Sequence, residues 1–269
     1  MSLHAPTFSK LFSGVIWKII ADSDTGTVYV ETRDGDKRKA LFHAFDLQAK
    51  KMLWADVSIL DAWWSSLKIA NKGNLLVVKF NDPDMPEQRG FAVIDGKTSK
   101  LLWGKDDAQV MQAEPDGIIV AEGKEEDSSY LKLDWAAGKT LGAVSVKEMF
   151  SGFNKKAQTR SFVLYPFHFE EENSFFSKIK EYIEIITGHK AVRMIEYLEK
   201  GDKVLISYYI YEEEKLTNFI LVADEKGALL VHEKLNAGLK GIGMDTFFVL
   251  KDQLIVVKNN NELQSYVIK

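Results

Sequence analysis

FHAFDLQAKKMLW at residues 42–54 returns as FAVIDGKTSKLLW at residues 91–103. Weaker copies are YLKLDWAAGKTLG at 130–142 and FILVADEKGALLVH at 219–232. Each copy is an alternating apolar strand ending on an aspartate (Asp46, Asp95, Asp134, Asp224), then a polar turn and a second short apolar strand. Trp54, Trp103, Gly142 and His232 occupy the same position after each aspartate. A hairpin that recurs at intervals of about 40–50 residues is the sequence signature of a repeated, radially arranged β-architecture.

Working outward, each repeat divides into four strands. The first runs over about residues 18–56 and the second over about 57–105, where AWWSSLKIA is its first strand. In the second, Asn81-Asp82-Pro83-Asp84 and Met85-Pro86 break the chain into a longer loop, because proline interrupts strands. The third covers about 106–146, with an acidic loop at Glu125-Glu126-Asp127. The interval from Asp134 to Asp224 is about twice the usual repeat and contains one stretch of different period. Phe175, Phe176, Ile179, Tyr182, Ile183 and Ile186 fall on one face of a helix. Asn173 or Ser174 caps its start and Gly188 ends it, which predicts a helix over 174–187. A four-strand repeat follows, and the last repeat has only three strands: TFFVLK, QLIVVK and ELQSYVIK. The orphan Ser13-Gly14-Val15-Ile16-Trp17 is expected to pair beside ELQSYVIK and close the ring, removing an open sheet edge. The expected fold is all-β, a closed β-propeller of five four-stranded blades in one domain spanning 1–269. Six blades are the alternative, with a degenerate repeat over about 147–189.

The "strand, Asp, turn, Leu-Leu-Trp" hairpin resembles the repeats of quinoprotein-type β-propellers, at 41–54 and 90–103 above all. With Trp63-Trp64 and the PFHF segment, the wider pattern is similar to uncharacterised bacterial propeller-like proteins. The resemblance implies the fold. It does not carry over the quinone: those dehydrogenases have more and longer blades, and several carry a vicinal cysteine pair.

Composition narrows the chemistry. The chain has 269 residues, 46% of them hydrophobic, and a net charge of −4, which argues against a general nucleic-acid surface. There is no cysteine, so disulfides, thiolate metal sites and cysteine nucleophiles are absent. No apolar run approaches a membrane span, and no leader pattern opens the chain. The expectation is a cytoplasmic monomer without nucleic-acid or membrane partners, binding an unknown protein or small molecule.

The repeated aspartates and Trp54, Trp103 and Trp17 read as structural, the former bonding turn amides and the tryptophans packing between blades. Trp63 and Trp64, if consecutive on a strand, point to opposite faces, so one is a candidate to line a channel mouth. His168 lies in Tyr165-Pro166-Phe167-His168-Phe169, leading into the irregular insertion, and repeat proteins often bind through such insertions. Tyr165 and His168 are expected to line a pocket roofed by the 174–187 helix, with a histidine bonded within a β-to-helix junction as the bland reading. Arg33, like Arg89 and Arg160, is a candidate for an anionic ligand or a salt-bridge partner of Asp34 or Glu31. The five histidines show no metal-binding spacing, so no metal and no cofactor is expected. Asp61, Glu114 and Glu196 form the carboxylate set to test for a glycoside hydrolase or lyase. The function expected is non-catalytic ligand binding near the 147–190 interval; a carboxylate enzyme and a pure interaction scaffold are the alternatives.

Overall fold

A computed structural model describes residues 5–81, 87–123, 128–148 and 163–268. The proline loop 82–86, the acidic loop 124–127, Arg160 and most of the first half of the proposed degenerate repeat lie outside the described residues. The chain is all-β, with five antiparallel sheets of four or five strands among the described residues. It divides into two compact units, Gly14–Ser161 and Met1–Ser13 with Phe162–Lys269. No helix of the described residues is long and apolar enough to cross a membrane.

Strand β1 (Phe8–Leu11) belongs to the second of these units and is taken up below. The unit Gly14–Ser161 holds three sheets in chain order. The first is β2 (Val15–Asp22), β3 (Thr27–Asp34), β4 (Lys39–Asp46) and β5 (Lys51–Val57). The second is β6 (Ser65–Asn71), β7 (Asn74–Phe80), β8 (Gln88–Asp95) and β9 (Leu101–Lys105). The third is β10 (Ala108–Glu114), β11 (Gly117–Glu122), β12 (Ser129–Leu133) and β13 (Thr140–Ala143). Central strands are apolar on both faces because sheets cover both. In β7, Leu75 and Val77 pack with Tyr29, Phe42 and Ala44 of the first sheet. Leu76 and Val78 of the same strand pack with Val110, Ile118 and Val120 of the third. Period-two alternation is thus replaced by a continuous Leu-Leu-Val-Val run.

The repeated block supplies polar staples between these sheets. Trp54 donates its indole N–H to the carbonyl of Gly96, the residue after Asp95, at 2.9 Å. Trp103 donates to the carbonyl of Trp135, the residue after Asp134, also at 2.9 Å. Each tryptophan therefore reaches the turn of the next block, where its ring also covers apolar surface. The aspartates build those turns: Asp95 Oδ1 accepts from the amides of Lys97 and Thr98, and Asp134 Oδ1 from those of Ala136 and Ala137. These bonds hold both carboxyls below the usual carboxylate range, with the Thr98 hydroxyl leading for Asp95 and the Ala137 amide for Asp134. The turns leave no room for a Cβ: one on Gly96 would collide with the Tyr29 hydroxyl and meet the Gly73 carbonyl at 2.7 Å.

In the other unit, β16 (Val192–Lys200), β17 (Lys203–Glu212), β18 (Lys215–Asp224) and β19 (Leu229–Leu239) form the fourth sheet, extended at the β16 edge by β15 (Phe167–Glu170). The fifth is β20 (Phe247–Leu250), β21 (Gln253–Lys258) and β22 (Glu262–Val267), flanked by β14 (Val163–Leu164) and β1. Leu198, Leu205, Ile220 and Val222 of the fourth sheet pack against Phe247, Val249, Leu254 and Val256 of the fifth. Helix α1 (Ser174–Thr187) has the expected bounds. The Asn173 side chain accepts from the Phe175 amide, and Gly188 ends the helix at φ 75°.

An N-terminal strand does complete the last sheet, but it is not the expected one. Phe8–Leu11 pairs with β22, Phe8 opposite Ser265 and Leu11 opposite Glu262. The Val15–Trp17 segment pairs instead with its own hairpin partner, Val15 opposite Arg33 and Ile16 opposite Thr32. The local β2–β3 hairpin runs to the end of β3 and takes up that segment, leaving the preceding one for the last sheet. Trp63 and Trp64 also depart from expectation, since β6 starts only at Ser65. Asp61 Oδ1 accepts from both of their amides at 2.8 Å, and this Asx turn keeps the pair out of the ladder.

In the fourth block His232 stands in the tryptophan position and bonds within its own sheet. The Tyr208 hydroxyl lies 2.8 Å from His232 Nε2 and 2.8 Å from His189 Nδ1. Burial pushes the Tyr208 phenol up to about 12, so it stays protonated and bridges two imidazoles. Burial, then the neighbouring His189, depresses His232 below its ordinary value, with Glu233 opposing them.

Gly138→Ala is expected to destabilise the fold by about 3 kcal/mol, combining left-handed strain with overpacking. Gly138 has φ +66°, and a Cβ there would sit 2.5 Å from the Trp103 ring. Urea denaturation in a Trp103→Ala background separates the terms: the penalty falls to the backbone part if the ring contact is real and is unchanged if it is not. For His232, the unfolded chain takes up its proton first as pH falls through the ordinary value of 6.5, so folded stability drops with pH there. The stability of the parent relative to His232→Gln is therefore expected to rise between about pH 5 and 7. A flat difference in thermal unfolding across that range rules this out.

Candidate functional site

The β15–β16 ladder places His168 directly opposite Glu196. Their neighbours Phe169, Ile195 and Tyr197 lie on the other face, in one apolar cluster with Phe176 and Ile183 of α1. Alternation along both strands therefore puts His168 and Glu196 on the face away from the helix. The expected helical roof over His168 is absent: α1 needs an apolar sheet face for its own stripe, and that is the opposite face.

Glu196 is fully buried. Its carboxylate accepts from the Thr246 amide at 3.1 and 3.3 Å and from the Thr246 hydroxyl. The Thr246 hydroxyl lies 2.7 Å from Ser207 Oγ, and Asn218 Nδ2 donates to Ser207 at 2.9 Å. Thr246 immediately precedes β20, so this buried network fixes the entry to the fifth sheet. Tyr209 holds the same loop further back, its hydroxyl accepting from the Gly243 amide at 2.9 Å. The loop is thus anchored at two points, and Asp245, at φ 54°, is held beside His168.

One imidazole nitrogen and two carboxylate oxygens converge there. His168 Nε2 lies 3.2 Å from Glu196 Oε1 and 3.3 Å from Asp245 Oδ1. The contacts have ion-pair distances but are not aligned as hydrogen bonds, and Nε2, although buried, has no hydrogen-bond partner among the described residues. The geometry decides here, because a hydrogen bond needs alignment as well as proximity. Burial raises the Glu196 carboxyl above its ordinary range, opposed by the bonds from Thr246 and by the neighbouring His168. Tyr165 flanks the cluster. Burial first, and Asp245 second, raise its phenol, and its ring lies 5.9 Å from that of Phe248. The side chain is still 52% exposed, so it offers an accessible aromatic edge.

The remaining expected residues fall in the Gly14–Ser161 unit. Arg33 pairs with the fully buried Glu31 at 2.7 Å and donates to the carbonyls of Trp63 and Ser65. Its guanidinium carbon sits 5.2 Å from the Trp17 ring centre and 5.1 Å from that of Trp63. This arginine is committed to a structural arch over the start of β6. Trp64 is half-buried, and its carbonyl accepts from Phe80. Asp61 caps its own turn, and Glu114 binds Lys132 at 2.7 Å. Arg89 lines a polar cavity of about 450 Å³ between the second and third sheets, with Gln88, Asp107, Gln109 and Tyr130. Tyr165, His168 and Glu196 are the expected residues that meet, and Asp245 is the one that sequence reasoning missed. Its signal was weak, an aspartate after the glycine-containing KGIGM loop, and it is far from His168 along the chain.

A profile of a domain family of unknown function, DUF4905, matches residues 21–103, which includes the two strong copies of the block. No curated protein matches the chain significantly. Among solved structures, a member of the DUF4221 family from Bacteroides vulgatus aligns over 97% of this chain and 96% of its own, at 8% identity and TM-score 0.39. The β-propeller domain of the Trilobed protease from Pyrococcus furiosus aligns over 93% and 78%, at 13% identity and TM-score 0.32. A eukaryotic initiation factor aligns over 96% of this chain at 9% identity and TM-score 0.35, and this chain spans about half of that protein, 53%.

Glu196→Ala strips the acceptor from two Thr246 donors and is expected to cost about 3 kcal/mol, whereas Glu196→Gln keeps a carbonyl acceptor and costs less. Chemical denaturation compares the two. Equal losses would mean that the Thr246 bonds do not organise the loop.

Proposed function

We propose that this chain is a non-catalytic binding protein, built as a single five-bladed β-propeller, that holds its ligand at Tyr165, His168, Glu196 and Asp245. The fold reading is supported by five antiparallel sheets, the tryptophan staples and the N-terminal strand paired to the last sheet. A cytoplasmic monomer remains the accompanying expectation. The binding reading rests on one observation above all: a fully buried carboxylate faces an imidazole nitrogen that has no hydrogen-bond partner among the described residues. Native interiors satisfy such atoms, so an unsatisfied one beside an exposed aspartate and tyrosine points to a group supplied from outside. The non-catalytic reading is supported by the carboxylates of Asp61 and Glu114, each engaged in local structure rather than aimed at a shared reaction centre.

The test is a thermal-shift screen of polar metabolites (amino acids, sugars, carboxylates, nucleotides) on the parent and on Tyr165→Ala. Compounds that stabilise the parent are expected to bind at least about tenfold more weakly to the variant, whose unliganded unfolding temperature is unchanged because the side chain is half-exposed. Ligands indifferent to Tyr165, or turnover of any of them, overturn the proposal.

A further inference from the structure

We propose that His168 Nε2, Glu196 Oε1 and Asp245 Oδ1 form a binding site for a divalent cation of the zinc class. The inference rests on the site assigned above and names its occupant.

Three observations carry it. The first is spacing. Ligands at 2.0–2.2 Å around a tetrahedral ion are roughly 3.3 Å from one another. The nitrogen lies 3.2 and 3.3 Å from the two carboxylate oxygens, and all three atoms are within 4.8 Å of one another. The second is direction. A protonated histidine bridging two acids would aim its N–H at one of them, yet Nε2 makes no hydrogen bond to either. A ring nitrogen within 3.3 Å of two carboxylates and bonded to neither has the arrangement of a ligand rather than of a donor.

The third is charge, read by comparing the two buried glutamates. Glu31 and Glu196 are both fully buried, and both accept from a backbone amide at or next to a strand's start, Leu67 near the start of β6 and Thr246 just before β20. Glu31 is compensated by the guanidinium of Arg33 at 2.7 Å. Glu196 pairs with no lysine or arginine among the described residues, and a second acid, Asp245, stands beside it. A buried carboxylate without a permanently charged partner is expensive, and a bound cation is one of the two usual remedies. The Thr246 amide and hydroxyl orient Glu196 as outer-shell partners do in metal sites. Three protein ligands leave a fourth position open, on the side of the exposed Asp245 and Tyr165.

Sequence spacing is blind to such a site. His168 and Glu196 meet only across a ladder, and Asp245 arrives on a loop fixed from a third direction.

The test is isothermal titration of the chelator-stripped full chain with Zn²⁺, Mn²⁺ and Mg²⁺, with cobalt(II) absorbance as a second readout. One zinc ion per chain is expected, bound more tightly than manganese or magnesium, with the intense visible band of four-coordinate cobalt. Asp245→Asn, at an exposed loop position, is expected to fold normally and lose at least about tenfold in zinc affinity, as is His168→Ala. Absence of zinc binding by the parent, or affinity unaffected by both substitutions, overturns the inference. If zinc fails while organic ligands still require Tyr165, the binding site stands and only its occupant is wrong. If neither binds there, the site assignment falls as well.

Discussion

A strand that is apolar on both faces must be covered on both. In β7, Leu75 and Val77 belong to one intersheet core and Leu76 and Val78 to the next, so the strand joins three sheets rather than two. Most of the Gly14–Ser161 unit follows from this. Apolar burial is non-directional and would tolerate sliding of one sheet over another. The indole N–H groups of Trp54 and Trp103 remove that freedom, each tying a sheet to one carbonyl in the following turn. The turn must then be shaped to receive them, which is the task of Asp95 and Asp134 and of glycines whose missing Cβ atoms leave space.

The same need for register is met differently where β6 and β20 begin. At both places a buried glutamate reaches across and clamps a backbone amide. A carboxylate suits this role because it accepts several bonds at once, from the amide and from a neighbouring hydroxyl. Its charge is the difficulty, and the two units resolve it unequally. Arg33, lying between Trp17 and Trp63, neutralises Glu31 and ends the matter in structure. Around Glu196 no lysine or arginine of the described residues does the same, and the loop that the glutamate anchors carries another acid to the same place. A structural device thereby becomes a candidate site without any residue being spared from the fold.

Much of this architecture was legible before any coordinates. The repeated block located the strands around Asp46, Asp95, Asp134 and Asp224, and Asn173 and Gly188 bounded the helix, because turns, caps and periodicity are local properties of the chain. The errors share a cause. The apolar character of Trp63 and Trp64 favours strand, but the Asx turn that Asp61 imposes overrides it. The Val15–Trp17 segment has the pattern of the last sheet's missing strand, but the β2–β3 hairpin extends to claim it, and Phe8–Leu11 pairs with β22 instead. In both cases two local preferences competed for one segment, and hydrogen-bond pairing decided between them.

His168 and Glu196 could be singled out in the sequence by residue type and by their position around an irregular interval, but nothing there joined them to each other or to Asp245. By itself, then, the sequence determined where strands, turns and the helix form, since those depend on neighbours a few residues away. Tertiary structure alone decided which face of β15 and β16 meets the helix and which the Asp245 loop, and so brought His168, Glu196 and Asp245 together. The physical reason is that strand register and loop anchoring are set by long-range packing and by buried hydrogen bonds, which no local pattern encodes.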